Sequence, residues 1–146
     1  MARSSPGAED IEVAALLAKR AAGDLKVAEK LAPDLGIDDN SIGFHTQQAV
    51  EKALKVALVL AGIDFPRSHD LEYLLRIADQ TSIDIPDVLY SSGWLTPWAT
   101  EFRYDDEPIG DLDRDKSLAL AEAAVTWCTY VLQESRRSPS AGPAST

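Results

Sequence analysis

Residues 41–61 read SIGFHTQQAVEKALKVALVLA. Ile42, Ala49, Val50, Ala53, Leu54, Val56, Ala57 and Leu60 fall within one half of a helical wheel, the pattern of a helix whose apolar side lies against a core. His45, Gln48, Lys52 and Lys55 follow at steps of three, four and three, so they form one polar stripe along the opposite side. The segment is the expected central core helix. Asn40 or Ser41 can cap its start, because their side-chain oxygens accept an orphan backbone N–H. Gly62 can close its end.

The flanking segments repeat the helical period. Upstream, about Glu9 to Leu31 carries Ile11, Ala14, Ala18, Ala21, Leu25 and Ala28 at steps of three or four, until Pro33, Gly36 and the acidic stretch from Asp38 to Asn40 break the pattern. Downstream, Ser68 can cap a third helix with Asp70 and Glu72 in its first turn and Leu71, Leu74, Leu75 and Ala78 on its buried face. From about Pro86 to Tyr104, Tyr90, Trp94, Trp98 and Phe102 stand at steps of four, expected as core or dimer-interface aromatics, with a base-stacking platform as the alternative. Pro97 there implies a kink, or a restart with Thr96 as N-cap. A last helix over about Asp113 to Arg136 shows a seam of Leu118, Ala121, Val125, Cys128 and Leu132. With no strand signal, the expected fold is all-α, an up-and-down bundle of four to five helices over 9–137, with a flexible N-terminus (1–8) and a disordered tail (138–146).

Bulk properties narrow the function. The 146 residues suit one domain, and 45% hydrophobic with 26% charged residues is a globular balance. No apolar run approaches the roughly 18 residues of a membrane span, and the first residues lack a signal-peptide pattern, so a soluble, cytoplasmic protein is expected. A net charge of −10 repels polyphosphate, so nucleic acid is not an expected partner except at a local basic patch. Cys128, the single cysteine, sits in an apolar pattern as inert packing. Two histidines and scattered carboxylates offer no zinc-type spacing, so no metal and no cofactor is expected.

Three motifs, in order, carry a family resemblance. Phe44-His45-Thr46-Gln47-Gln48-Ala49-Val50-Glu51-Lys52-Ala53-Leu54-Lys55 resembles the second-helix signature of the HEPN family, aromatic-x-x-Gln-Gln-Ala-x-Glu-Lys-x-x-Lys. Pro66-Arg67-Ser68-His69-Asp70-Leu71 resembles the family's turn and His-Asp-Leu helix start, and Phe102-Arg103-Tyr104-Asp105-Asp106 its Arg-Tyr-Pro-Asp segment, with Asp105 in place of the proline. The resemblance implies a HEPN-like bundle, usually a homodimer, often paired with a minimal nucleotidyltransferase and frequently part of a toxin–antitoxin system. It also implies that Arg103, Tyr104 and Asp105 belong to the segment the family places in its inter-subunit cleft. Ribonuclease members carry an arginine followed after four to six residues by a histidine near the start of the last long helix. Neither His45 nor His69 has an arginine at that distance before it.

The candidate site residues have two readings each. Gln48, Lys52 and Lys55 form either a solvated face or an intrahelical network, with an ordinary Glu51 to Lys55 helical pair, or else a phosphate-attracting stripe. His69 and Asp70 either cap the third helix or contact a ligand. Arg67, beside that helix N-terminus and its free N–H groups, is the better phosphate candidate. Arg103, Tyr104 and Asp105 either satisfy a helix end or line the cleft, and Tyr104 is a conceivable acceptor of a nucleotidyl group. The expected function is a non-catalytic nucleotide- or partner-binding HEPN module that accompanies a nucleotidyltransferase in a toxin–antitoxin-like system. The alternative is a divergent metal-independent ribonuclease toxin using Arg67, His69 or Arg103.

Overall fold

The computed structural model describes residues 6–99 and 110–137, and their regular structure is four α-helices and one 3₁₀ helix. These are α1 (Ala8–Leu31), α2 (Asp39–Leu60), α3 (Leu71–Asp79), a 3₁₀ segment (Asp87–Ala99) and α4 (Arg114–Arg137). No strand occurs among the described residues, and the chain forms the expected all-α bundle. Arg103, Tyr104 and Asp105, with Phe102, lie outside the described residues, as does the tail from 138 onward.

Helix α2 is the axis of the bundle and packs on α1, α4, α3 and the 3₁₀ segment. All eight apolar residues expected in its core face are buried, Ile42, Val50, Leu54 and Val56 completely. Its most extensive partner is α1, which presents Ala14, Ala18, Ala21 and Ala28. Side chains that small let the two helix axes approach closely.

The helix starts differ from those expected. Asp38, rather than Asn40 or Ser41, caps α2, its Oδ1 accepting the Asn40 N–H at 3.1 Å. Asp70, rather than Ser68, caps α3 by accepting the Tyr73 N–H at 3.3 Å. A carboxylate at either place both accepts the orphan N–H and faces the positive end of the helix dipole. Ser68 serves the turn before, with Oγ accepting the Asp70 N–H. At the end of α2, Gly62 stands at φ 71°, and its N–H and that of Ile63 donate to the Val59 and Leu58 carbonyls, the Schellman arrangement only glycine enters without strain.

The aromatic row does not form one face. The segment from Asp87 to Ala99 winds as a 3₁₀ helix, which repeats every three residues, so burial falls on Leu89, Ser92, Leu95 and Trp98. Tyr90 is left exposed, with its hydroxyl donating to Asp79 at 2.9 Å, and Trp94 is half-buried, edge-on to Trp98. Thr96 does not cap a restarted helix. Its Oγ1 accepts the Leu71 N–H at 3.2 Å, so it caps α3 from across the bundle.

Trp98 lies against the backbone of α2 at Gly43, where an added Cβ would stand 2.2 Å from its Cδ1. Gly43→Ala is therefore expected to destabilise the protein by about 1–3 kcal/mol despite alanine's advantage of up to about 1 kcal/mol inside a helix, because a rigid indole has nowhere to go. Thermal unfolding of the variant measures it.

The seam of α4 is rotated from the expected one. Ser117, Leu120, Ala121, Ala124, Trp127, Cys128 and Leu132 are buried, while Leu118 and Val125 flank them half-buried. The Trp127 Nε1–H donates to the Asp84 carbonyl at 3.1 Å and fastens the loop before the 3₁₀ segment. Cys128 is completely buried, and burial pushes its thiol up to about 11. It is expected to resist iodoacetamide in the native protein and react only on unfolding, which mass spectrometry after timed labelling reads directly.

Candidate functional site

The second half of α2 turns polar groups inward. Glu51 is 3% exposed, inside an otherwise apolar helix environment, and four side chains from two elements converge on its carboxylate. Its Oε1 accepts from Gln47 Nε2 at 3.1 Å and pairs with His69 Nδ1 at 2.8 Å, and Gln48 Nε2 stands 3.5 Å away. Its Oε2 accepts from Lys55 Nζ at 2.9 Å. Burial pushes the Glu51 carboxyl up, but the hydrogen bonds from Gln47, Lys55 and His69 and the charge of Lys55 outweigh it, so the group sits below the ordinary glutamate value of 4.5. The carboxylate is thus ionised at neutral pH and can only accept.

That fixes the histidine. With an accepting carboxylate at Nδ1, the His69 ring carries its proton there, and Nε2 is the free edge. Gln47 Nε2 also donates to the His69 backbone carbonyl at 3.1 Å, so one amide holds both the carboxylate and the residue bearing the ring. The His69 side chain is nonetheless 66% exposed. A buried network therefore ends in an oriented imidazole at the surface. Arg67 is exposed on the turn two residues earlier, and Asp70 begins α3 immediately after.

The structure divides the expected polar stripe in two. Gln48 and Lys55 join the Glu51 network, Gln48 only 8% exposed and donating to Gln47 Oε1 at 2.7 Å. Lys52 and His45 turn instead to Asp24 on α1, at 2.6 and 2.9 Å. Lys55 forms the expected helical pair with Glu51 and Gln48 joins the intrahelical network around it, while Lys52 is bound across to Asp24, so the three do not stand as a free cationic stripe. Asp70 is committed to capping α3. Of the expected ligand contacts, Arg67 and His69 remain open to an incoming molecule, and Arg103, Tyr104 and Asp105 fall outside the described residues.

Two residues that hold the surrounding bundle together, Asp24 beside the stripe and Arg114 at the α1–α2 loop, are only faintly marked in the sequence. Asp24 lies on α1 21 positions before His45, and nothing local pairs them. Arg114, the first residue of α4, donates from Nε to Asp39 Oδ1 at 2.9 Å, from Nη1 to the Ala32 and Asp34 carbonyls, and from Nη2 to the Ile37 carbonyl at 2.6 Å. It lines a groove of about 1050 Å³ with Glu29, Asp39, Asp113, Asp115 and Glu122. With its guanidinium spent on the α1–α2 loop, those carboxylates leave the groove hostile to an anion. Positions 119, 120 and 121, where a ribonuclease-type histidine would follow Arg114, are Ala, Leu and Ala.

Comparison with known proteins places the chain. Residues 14–134 match the family model described as "HEPN domain". Over 114 residues the chain is 45% identical to a protein of Methanocaldococcus jannaschii described as "Putative toxin MJ1304", the match covering 70% of each chain. No solved structure matches the chain. No helix among the described residues is long and apolar enough to cross a membrane.

Proposed function

The chain belongs to the HEPN domain family, and from that premise we propose that it is a non-catalytic, homodimeric binding module of a toxin–antitoxin-like system, accompanying and regulating a minimal nucleotidyltransferase. The observation that carries the reading is the Glu51–His69 arrangement, a buried carboxylate that holds an exposed imidazole in one orientation beside Arg67 and the N-terminus of α3. A guanidinium, an imidazole edge and a helix start together suit a phosphate-bearing ligand such as a nucleotide. The toxin description of the Methanocaldococcus jannaschii relative supports the toxin–antitoxin setting, and the lack of an arginine-to-histidine motif in the sequence supports a binding rather than a hydrolytic role.

Titration with ATP, followed by calorimetry, tests this. Arg67→Ala and His69→Ala are each expected to weaken binding by about tenfold or more, the ratio that about 1.4 kcal/mol represents. Saturation by ATP unchanged in both variants would remove the corner from the reading.

The same pair is also the one observation favouring a ribonuclease. An Nδ1–H held by a carboxylate leaves Nε2 free to take a proton from a 2′-hydroxyl. Labelled RNA incubated with chelator separates the two readings: cleavage by the native protein, abolished by His69→Ala, replaces the binding module with an enzyme.

A further inference from the structure

The face of α1 turned away from the bundle bears a row of side chains that nothing in the described chain covers. Val13 is 50% exposed, Leu16 49% and Val27 39%. With Arg20 and Gly23 they run at steps of three, four, three and four, opposite the buried Ala14, Ala18, Ala21 and Ala28. A single exposed apolar residue needs no explanation, but a row at heptad spacing is the seam by which helices pair. At Gly23 an added Cβ would meet nothing, so the seam has a gap midway along it.

The charges on this face are sorted by sign along the helix. Glu9 and Glu12 lie toward its start, and Lys19, Arg20, Lys26 and Lys30 follow. None of these six forms an ion pair among the described residues, whereas Lys52, Lys55 and Arg114 elsewhere in the bundle are each bound to a carboxylate. One helix thus presents an acidic start and a basic remainder, with Val13, Leu16 and Val27 exposed along the same face, and the partner that fits such a face head to tail is the same face inverted.

We propose that two copies of this chain meet through α1, antiparallel, about a twofold axis that crosses the helix between Leu16 and Arg20. Any axis in that interval sets Glu12 against positions 20–28 of the other copy and Glu9 against positions 23–31, which hold Arg20, Lys26 and Lys30. Leu16 falls on positions 16–24 of the other copy, a stretch that includes Gly23, where the absent side chain leaves room. An isologous contact of this kind closes at two copies. The inference deepens the homodimeric part of the proposed function, and rests on it, by giving that dimer a surface. A lipid surface fits less well, because the acidic first turns and a net charge of −10 oppose an anionic membrane. Helix α1 is about 36 Å long and offers a strip about 10 Å wide, roughly half of the ~800 Å² per partner of a stable interface, so the association is weak and salt-sensitive.

Sedimentation equilibrium tests it with two charge-reversed variants, Glu9→Lys/Glu12→Lys and Lys26→Glu/Lys30→Glu, each checked for folding by circular dichroism. The native protein is expected to self-associate in about 50 mM salt and several-fold more weakly in about 500 mM. Each variant alone should lose at least about tenfold in association constant, because like ends now meet. An equimolar mixture should recover the native value, since the two basic ends of one α1 then face the two acidic ends of the other. A native dimer indifferent to both variants would leave the homodimer standing and remove it from α1. A native protein monomeric throughout would sink both the dimer and this surface. Failure of the mixture to recover would likewise overturn the pairing, as would a monomer that binds phosphatidylserine vesicles through Lys26 and Lys30.

Discussion

Replacing Arg114 with alanine is expected to lower stability by about 3–5 kcal/mol, among the largest effects available to one side chain in this protein. The guanidinium is 16% exposed and touches Asp39 and the carbonyls of Ala32, Asp34 and Ile37, while Asp39 also accepts the Leu112 N–H at 3.1 Å. Its removal leaves the Asp39 carboxylate half-paired, the Ala32 and Ile37 carbonyls without this donor and the Asp34 carbonyl with the Ile37 N–H alone, at the point where α4 meets the connection between α1 and α2. Lysine cannot substitute, because one ammonium cannot reach four acceptors that a planar fork spans. Urea unfolding followed by circular dichroism should show the midpoint falling in Arg114→Ala and recovering only partly in Arg114→Lys. A loss under about 1 kcal/mol in the alanine variant would mean that the loop is held by packing alone.

Glu51→Ala should cost about 2–4 kcal/mol, since it strands Lys55, whose side chain is 15% exposed, together with the buried amides of Gln47 and Gln48. The lower end of that range allows for His69, which is mostly exposed and can turn to water. Glu51→Gln keeps the shape and should cost less, and the difference between the two separates charge from packing. The native carboxyl lies below 4.5, so the unfolded state takes up its proton first as the solution is acidified. Its contribution is therefore fully present above about pH 4.5 and is lost as pH falls through the lower, native value. Glu51→Gln should flatten that acid limb while leaving the neutral-to-alkaline part of the profile parallel to the native one. A variant with an unchanged acid limb would show that other carboxylates set it.

The same network links stability to function. His69→Ala should cost little stability, because the ring is mostly in water, yet it removes the oriented imidazole edge that the proposed ligand meets. Glu51→Gln should leave the ring in place but free its orientation, and so weaken ATP binding less than His69→Ala does. A stability loss and a binding loss that rank the two variants oppositely would be the mark of a ring held from behind by a buried charge.

Local periodicity was enough to read four helices and the apolar sides of α1, α2 and α3, because burial along a helix repeats every 3.6 residues whatever it packs against. Gly62 was legible for the same kind of reason, since a helix end that needs positive φ admits few residues. Motif spacing likewise marked the Gln-Gln-Ala and His-Asp-Leu segments that belong to the family match. What the chain could not declare locally was partnership across distance. The 3₁₀ winding turned an apparent four-residue aromatic row into burial every third residue, and it seats Trp98 against Gly43 on another element. The rotation of the α4 seam depends on which neighbours α4 meets. The division of one polar stripe between Asp24 and Glu51 arises because α1 and the turn before α3 approach α2 from different sides. The Glu51–His69 and Lys52–Asp24 contacts join residues 18 and 28 positions apart, and only the packed chain brings them within hydrogen-bonding distance.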